Sequence, residues 1–156
     1  LMVSPEGRLY ILDLGIARLT QKNDGIGPGI TRQASAIGTP EFMPPEQWAD
    51  ATTVTPETDI YALGCTLFYL LTGRPPFIGD KLSDVMHGHT SQDPPPLSTF
   101  RPDVPAALEQ TVAKMLAKDP EDRFRQAKQV VDALRKVPLE PEMSTITRPV
   151  RPTAPK

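Results

Sequence analysis

The stretch ILDLG at residues 11–15 places a single carboxylate, Asp13, at the end of an apolar run, with Gly15 two residues later. A carboxylate at the mouth of a buried strand loses hydration, so it must be paired, hydrogen-bonded or bound to a cation. The plainer alternative is an aspartate that makes a turn or caps a helix. This stretch alone does not distinguish between the two.

Four more groups of residues follow ILDLG in order along the chain. They are GTPE at residues 38–41, PPE at residues 44–46, the run 59–64 that begins with Asp59, and Arg123. A tripeptide such as DLG arises by chance, so the order and spacing carry more weight than any one group. Together the five groups resemble the second half of a Ser/Thr protein kinase domain, over residues 1–137.

The resemblance implies the C-terminal lobe of a bacterial-type Ser/Thr protein kinase, truncated just after the catalytic loop. Its fold would be mainly α within an α+β family, with one N-terminal β-hairpin and a buried central helix. The implied reaction transfers the γ-phosphate of ATP to Ser or Thr of a protein substrate, with Mg²⁺ as the cofactor. Asp13 is then the Mg²⁺ ligand, and Gly15, in the nucleotide site, lets the backbone turn behind it. Leu14 stands where the family usually has Phe and keeps an apolar packing residue there.

Residues 13–46 resemble the activation segment of the family. Ser35 lies three residues before Gly38, where the family often carries an activating phosphate, and Thr31 is a second candidate. The basic side chain of Arg18 could pair with such a phosphate and order the loop. The alternative is that Ser35 is a solvated loop serine, because hydroxyl residues are common in any loop.

The GTPE group resembles the Ser/Thr-kinase form of the substrate-docking loop rather than the tyrosine-kinase form. Thr39 would hydrogen-bond the catalytic aspartate, and Phe42 and Met43 would help to line the pocket beside the phosphoacceptor. The full set of implied docking residues is Gly38, Thr39, Pro40, Phe42 and Met43.

Three charged residues are implied to support the site. Glu46 and Arg123 would form a buried ion pair that anchors the activation segment, and loss of either partner would cost about 3–5 kcal/mol. Asp59 resembles the aspartate at a helix start that accepts N–H groups from the catalytic loop. The alternatives are two unrelated surface charges and an ordinary helix cap.

The elements that would position these residues begin with a β-hairpin. Two apolar runs flank Ser4-Pro5-Glu6-Gly7, where Pro suits the second position of a type I turn and Gly the last. The second strand is apolar on both faces over residues 9–12, so we expect it to be covered on both sides. Residues 20–37 lack periodicity and predict a long, mobile loop.

A central helix is predicted over residues 60–71. Thr58 or Asp59 could cap its start, and Gly73 stops it. Apolar residues extend nearly all round it, as in a helix that is buried on most sides. The main apolar face comprises Ile60, Leu63, Leu67, Leu70 and Leu71.

Shorter helical segments surround this helix in the sequence. A turn is predicted at residues 45–48, and a short helix opened by Asp80 at residues 81–87. Helices at residues 106–119 and 125–137 each carry an amphipathic stripe. The stripes are Leu108, Val112, Met115 and Leu116 in the first, and Ala127, Val130, Val131 and Leu134 in the second.

The composition disfavours several function classes. The length of 156 residues suggests one domain. The net charge of −2 disfavours a surface that binds nucleic acid or anionic membranes. Cys65 is the single cysteine, so the chain has no internal disulfide, which agrees with a cytoplasmic location. We expect Cys65 to lie in the core. His87 and His89 are two residues apart and do not share a helix face, so they do not suggest a metal site.

Residues 138–156 are rich in Pro and Thr and lack periodicity, so we expect a linker or disordered tail after a kinase region at residues 1–137. The segment PPEQ and the Pro-rich loop resemble bacterial kinases that continue through a linker to a membrane helix. The resemblance thus implies a membrane anchor beyond the tail and no membrane contact within this segment. Thr145, Thr147 and Thr153 would be candidate autophosphorylation sites.

Phosphoryl transfer in this family also needs a Gly-rich loop, a strand lysine paired with a helix glutamate, and a catalytic loop. By the family's pattern, a metal-binding asparagine would directly precede Leu1, with the catalytic aspartate five residues earlier. We therefore expect a fragment that is inactive alone. Two other interpretations stay open: a pseudokinase or protein-interaction scaffold without catalysis, and an unrelated helical interaction domain.

Overall fold

The computed structural model describes residues 2–10, 39–50 and 52–138 of the chain. The chain forms two compact units, Leu1–Ala34 and Ser35–Lys156. The described part of the first unit is a β-hairpin, and the described part of the second is mainly helical.

The hairpin consists of β1 (Met2–Val3) and β2 (Leu9–Tyr10), which pair antiparallel with Met2 opposite Tyr10. Its turn is closed by the Gly7 N–H, which donates to the Ser4 carbonyl at 2.9 Å, and Gly7 has a φ of 77° that favours glycine. The predicted hairpin is thus confirmed. The prediction that β2 is covered on both sides is wrong for Leu9 and Tyr10, which are exposed, because a hairpin of two short strands cannot cover its own faces.

Five α-helices are described in the second unit, together with three short 3₁₀ turns. The turns lie at Pro40–Phe42, Leu97–Thr99 and Pro120–Asp122. The helices are α1 (Pro45–Ala49), α2 (Pro56–Thr72), α3 (Leu82–Ser91), α4 (Ala106–Met115) and α5 (Ala127–Leu134).

The central helix α2 begins four residues before the predicted start. Thr55 is its N-cap and Pro56 its first helical residue, where proline's fixed φ and missing N–H are tolerated. Thr58 does not cap the helix but lies in its first turn, and its hydroxyl accepts from the Thr55 N–H at 3.2 Å. The predicted end is correct: Gly73 has a φ of 77° and donates its N–H to the Tyr69 carbonyl.

Only one side of α2 is buried, so the prediction of burial nearly all round is wrong. Leu63 and Leu70, which we expected on the buried face, are 38% and 67% exposed. The buried side faces α4, and Gly64 permits the close approach, because a Cβ there would lie 2.9 Å from the Met115 Cβ. The buried residues are Thr58, Ile60, Tyr61, Gly64, Cys65 and Phe68.

The predicted stripe of α4 is confirmed, since Leu108, Val112, Met115 and Leu116 are all buried. The stripe of α5 is narrower than predicted. Val130 is buried there, but Ala127 and Val131 are exposed, because this eight-residue helix packs on α4 along one edge. The main core consists of Tyr61, Cys65, Phe68, Leu97, Val104, Leu108, Val112, Leu116 and Val137.

Helix α3 runs four residues beyond its predicted end and starts after Lys81 rather than Asp80. The Asp84 carboxylate accepts from the Lys81 N–H at 3.3 Å and closes the first turn. Among the helices that the structure describes, none has both the length and the apolar character needed to cross a bilayer.

Candidate functional site

The residues expected to carry or regulate chemistry fall into two groups. One group lies outside the described residues and consists of Asp13, Gly15, Arg18, Thr31, Ser35 and Gly38. The other group is described and consists of Thr39, Pro40, Phe42, Met43, Glu46, Asp59 and Arg123. The described residues therefore include the expected docking segment and the charged residues expected to support it.

Residues 39–43 form a tight turn at the surface of the helical unit. The Phe42 N–H donates to the Thr39 carbonyl and the Met43 N–H to the Pro40 carbonyl, each at 3.1 Å. Pro40 starts this turn because its φ is already fixed near the helical value. Thr39 is exposed, whereas Met43 is buried. The turn thus presents its first residue to solvent and inserts its last into the protein.

Phe42 is half-buried and packs its ring edge-to-face against Tyr69 of α2, with ring centroids 6.1 Å apart. The turn also contacts α3, and α1, which follows it, packs against α3 as well. Segment 39–49 is therefore supported by two different helices rather than by its own sequence neighbours.

Glu46 in the first turn of α1 forms a two-pronged ion pair with Arg123. Arg123 Nη1 donates to Glu46 Oε1 at 2.8 Å, and Nη2 donates to Oε2 at 2.9 Å. The Arg123 side chain is fully buried and that of Glu46 is 14% exposed. Such parallel hydrogen bonds fix the relative orientation of the two planar groups as well as their distance. The structure thus brings together two residues that are 77 positions apart in the sequence.

The remaining Arg123 donors are also satisfied. They bond to the carbonyls of Ala117 at 2.8 Å, Lys118 at 2.9 Å and Glu57 at 3.1 Å. All five guanidinium N–H groups therefore have an acceptor, which is the condition under which a buried arginine is tolerated. The guanidinium also lies over the Tyr61 ring, 4.7 Å from its centroid. Arg123 thus ties α1 to the start of α2 and to the end of the α4 region.

Glu46 is held in its charged form by these contacts. Burial by itself would raise the pKa of this carboxyl, but hydrogen bonds from Arg123, from the Glu46 backbone and from Thr58 outweigh it, and the pKa is lowered. The Thr58 hydroxyl donates to Glu46 Oε1 at 3.1 Å. Thr58 was expected only as a helix cap, and its place beside the ion pair has no local sequence signal.

Asp59 lies exposed in the first turn of α2, next to Thr58. A carboxylate there also suits the positive end of the helix dipole. Among the described residues, no group of three or more His, Cys, Asp or Glu side chains is placed to hold a metal ion. The proposed Mg²⁺ ligand Asp13 is outside that set.

Sequence reasoning missed a second buried polar contact beneath the same segment. His89 of α3 is completely buried, and its Nδ1 lies 2.9 Å from the Tyr61 hydroxyl. The His89 ring also packs edge-on against Phe77, with centroids 4.9 Å apart, and lies 6.4 Å from the Trp48 ring. Its spacing from His87 gave no hint of this environment, because the partners come from three different elements.

Burial disfavours the imidazolium and Lys118 adds a nearby positive charge, so the pKa of His89 is lowered to about 4. The Lys118 ammonium donates to the Gly88 carbonyl at 2.8 Å and lies 4.0 Å from the Phe77 ring centroid. Burial likewise lowers the pKa of Lys118 to about 8. His89 is therefore neutral near pH 7.

Fold and ion pair together define a helical scaffold to which residues 39–49 are fastened, and comparison with known proteins identifies its class. The protein kinase domain family model matches residues 1–134 of the chain. The chain therefore belongs to the protein kinase family.

The relatives are bacterial Ser/Thr kinases, which confirms the resemblance noted from the sequence. The chain is 40% identical over 127 residues to the serine/threonine-protein kinase PknB of Mycolicibacterium smegmatis, covering 81% of this chain and 20% of that protein. It is also 40% identical over 124 residues to PknE of Mycobacterium tuberculosis, covering 80% of this chain and 21% of that protein. The chain thus spans about a fifth of the length of these relatives.

A solved structure shares the fold. The twitchin kinase region from C. elegans superimposes with a TM-score of 0.51 at 24% identity, covering 61% of this chain and 16% of that one. This similarity supports the mainly helical, kinase-like architecture. At 24% identity it is evidence for the fold alone.

Proposed function

We propose that this chain is the substrate-docking, C-terminal part of a Ser/Thr protein kinase domain that transfers the γ-phosphate of ATP to Ser or Thr of a protein substrate. The observation that carries the proposal is the buried Glu46–Arg123 pair, which fastens the segment after Thr39 to the helical scaffold. A segment that must hold a peptide in register needs such rigid support.

The domain division follows from the same proposal. Residues 1–137 form the kinase part, with an activation segment at residues 13–46, and residues 138–156 form a linker or tail. A cytoplasmic kinase with a membrane anchor beyond that tail agrees with the resemblance to bacterial kinases. ATP and a protein are the implied partners.

Within the docking segment, the proposed roles follow the observed geometry. Exposed Thr39 is available to hydrogen-bond a catalytic aspartate, and Phe42, braced by Tyr69, provides an apolar wall beside the phosphoacceptor. Met43 is buried and supports the turn from below. Gly38 and Pro40 complete the segment.

The roles proposed for residues near the nucleotide and in the activation segment come from the sequence. Asp13 would hold Mg²⁺, which neutralises charge on the ATP phosphates when it is bound, with Gly15 leaving room for the backbone turn. Ser35 and Thr31 are the proposed phosphorylation sites, and Arg18 is placed in the sequence to pair with the added phosphate.

The 156 residues contain no Gly-x-Gly-x-x-Gly phosphate loop and no His-Arg-Asp catalytic loop, so we expect the chain alone to transfer no phosphate. The test is a chimera in which the kinase-domain segment of the M. smegmatis PknB relative that precedes the matched region is joined to residues 1–137. Transfer of labelled γ-phosphate to a Ser/Thr peptide is measured. We expect activity from the chimera, its loss in the Asp13→Asn variant, and its retention in the matched control Asp50→Asn.

A folded chimera without activity would contradict the enzyme proposal and favour a binding scaffold. Equal activity of the Asp13→Asn and Asp50→Asn variants would contradict the role of Asp13 while leaving the kinase assignment in place. Folding of each variant is checked by circular dichroism before activity is compared.

A further inference from the structure

Lys118 follows α4 and takes no part in the proposed chemistry, yet its side chain reaches across to α3. Its ammonium group donates to the Gly88 carbonyl at 2.8 Å and lies 4.0 Å from the Phe77 ring centroid. Gly88 itself packs closely on Phe77, because a Cβ on Gly88 would lie 2.7 Å from the Phe77 Cβ. Lys118 therefore fixes the place where α3 meets Phe77.

The Gly88 carbonyl belongs to the last turn of α3, where a cation is favourable. The last carbonyls of a helix carry partial negative charge, so an ammonium group stabilises them. The Gly88 carbonyl also accepts from the Gln92 N–H at 3.3 Å, so the bond from Lys118 is the shorter of the two. The C-terminal turn of α3 is thus held by a residue 30 positions away.

The backbone of Lys118 supports the docking segment from another direction. The Lys118 carbonyl accepts from Arg123 Nη2 at 2.9 Å, and Arg123 forms the buried ion pair with Glu46 of α1. The Lys118 side chain holds α3, and α3 packs against both α1 and the Pro40–Phe42 turn. Lys118 therefore lies where the two supports of residues 39–49 meet.

We propose that Lys118 is a positioning residue for substrate binding: its ammonium group fastens α3 to the loop that carries Arg123, so that α3 and the ion pair hold residues 39–49 together. The effect on the substrate rests on the proposed function, because residues 39–43 hold a peptide only if the chain is part of a kinase. The positional effect itself does not require catalysis.

The first test measures amide hydrogen exchange in the full chain. Lys118→Met keeps the apolar stem and removes the charge and the donor, and Lys118→Gln removes the charge and shortens the reach of the donor. Lys114→Met is the matched control, since the Lys114 ammonium also lies over a ring, 4.9 Å from the Phe124 centroid, but Lys114 is exposed on α4. Circular dichroism checks folding, and either Lys118 variant that is folded serves for the comparison.

Three sites distinguish a positioning role from a general loss of stability. They are the end of α3 at Gln92, the docking turn at Phe42 and Met43, and the core of α4 at Val112. In the Lys118 variants we expect exchange about 3- to 10-fold faster at the first two sites, the size expected for one lost hydrogen bond, and unchanged exchange in α4. Lys114→Met should exchange like the wild type at all three sites.

Four outcomes would overturn the proposal. Faster exchange at the end of α3 alone would mean that the contact is merely local, and equal acceleration in α4 would mean a general loss of stability. Unchanged exchange at every site would mean that the contact holds nothing. Unfolding of both Lys118 variants would make Lys118 a requirement for the fold as a whole rather than for the docking segment.

The second test measures peptide phosphorylation by the chimera described above. Lys118→Met should raise KM for the peptide about 3- to 10-fold with little change in kcat, and Lys114→Met should change neither. An inactive chimera combined with the expected exchange rates would reject the proposed function and support the positioning of residues 39–49. An active chimera with unchanged KM in Lys118→Met would reject the role of Lys118 in substrate binding.

Discussion

Replacing Glu46 by glutamine removes one charge from a buried ion pair and changes almost no volume. Arg123, whose side chain is fully buried, then lacks its counter-charge. Breaking one side of a buried pair costs about 3–5 kcal/mol. Because Arg123 keeps the carbonyls of Ala117, Lys118 and Glu57 as acceptors, we expect a loss of about 3 kcal/mol in the free energy of unfolding.

The assay is urea denaturation of the full chain, followed by circular dichroism and by the fluorescence of Trp48, the single tryptophan. The matched control is Asp103→Asn. Asp103 forms a similar two-pronged pair with Arg101, at 2.8 and 2.6 Å, but its side chain is 56% exposed. Exposed pairs contribute little because water already solvates both charges, so this control should lose far less stability than Glu46→Gln.

A double-mutant cycle with Arg123→Met completes the experiment. The two single losses should sum to clearly more than the loss of the double variant, because the double variant leaves no unpaired buried charge. The opposite outcomes are that Glu46→Gln costs no more stability than Asp103→Asn, or that the two single losses add up to the loss of the double variant. Either result would mean that the pair does not hold α1 to the scaffold.

The same pair predicts the response to acid. The pKa of Glu46 is lowered below its ordinary value of 4.5, so its stabilising contribution is complete above pH 4.5 and is lost as the pH falls through the lowered value. In Glu46→Gln, the part of the acid destabilisation that this carboxylate causes should disappear. Denaturation midpoints at several pH values below 5 measure it.

Three further predictions concern His89, Gly64 and Gly73. The pKa of His89 is lowered from 6.5 to about 4, so the free energy of unfolding should fall by about 3 kcal/mol as the pH falls from 6.5 to 4. His89→Gln should remove this part of the pH dependence, measured as urea denaturation midpoints at several pH values. Gly64→Ala should destabilise by about 1–3 kcal/mol, measured by urea denaturation, because the new Cβ would meet the Met115 Cβ at 2.9 Å. Gly73→Ala should lower the melting temperature, because a left-handed φ of 77° costs about 1 kcal/mol for a residue with a Cβ.

The local sequence pattern was sufficient to predict those elements whose determining residues lie within a few positions of one another. The hairpin could be predicted because a Pro and a Gly at fixed offsets separate two apolar runs. The end of α2 could be predicted because a glycine, here Gly73, adopts a left-handed φ without strain. The stripe of α4 was correct because spacing along a helix determines which residues share a face.

Local pattern failed where packing decided the outcome. The apolar face expected for α2 included Leu70, and only the position of α4 leaves Leu70 exposed while Phe68 is buried. The start of α2 was misplaced because Thr55, Thr58 and Asp59 are all acceptable caps, and the reciprocal contact between Thr55 and Thr58 forms only once the backbone is folded.

The sequence by itself determined the family, through the order of five short groups that includes Asp13-Leu14-Gly15 and Arg123. Only the tertiary structure decided that Arg123 gives two N–H groups to Glu46 and three to backbone carbonyls, and that His89 lies against Tyr61. These partners are 77 and 28 residues apart. Hydrophobic periodicity describes one element at a time, whereas a buried hydrogen bond depends on how several elements pack together.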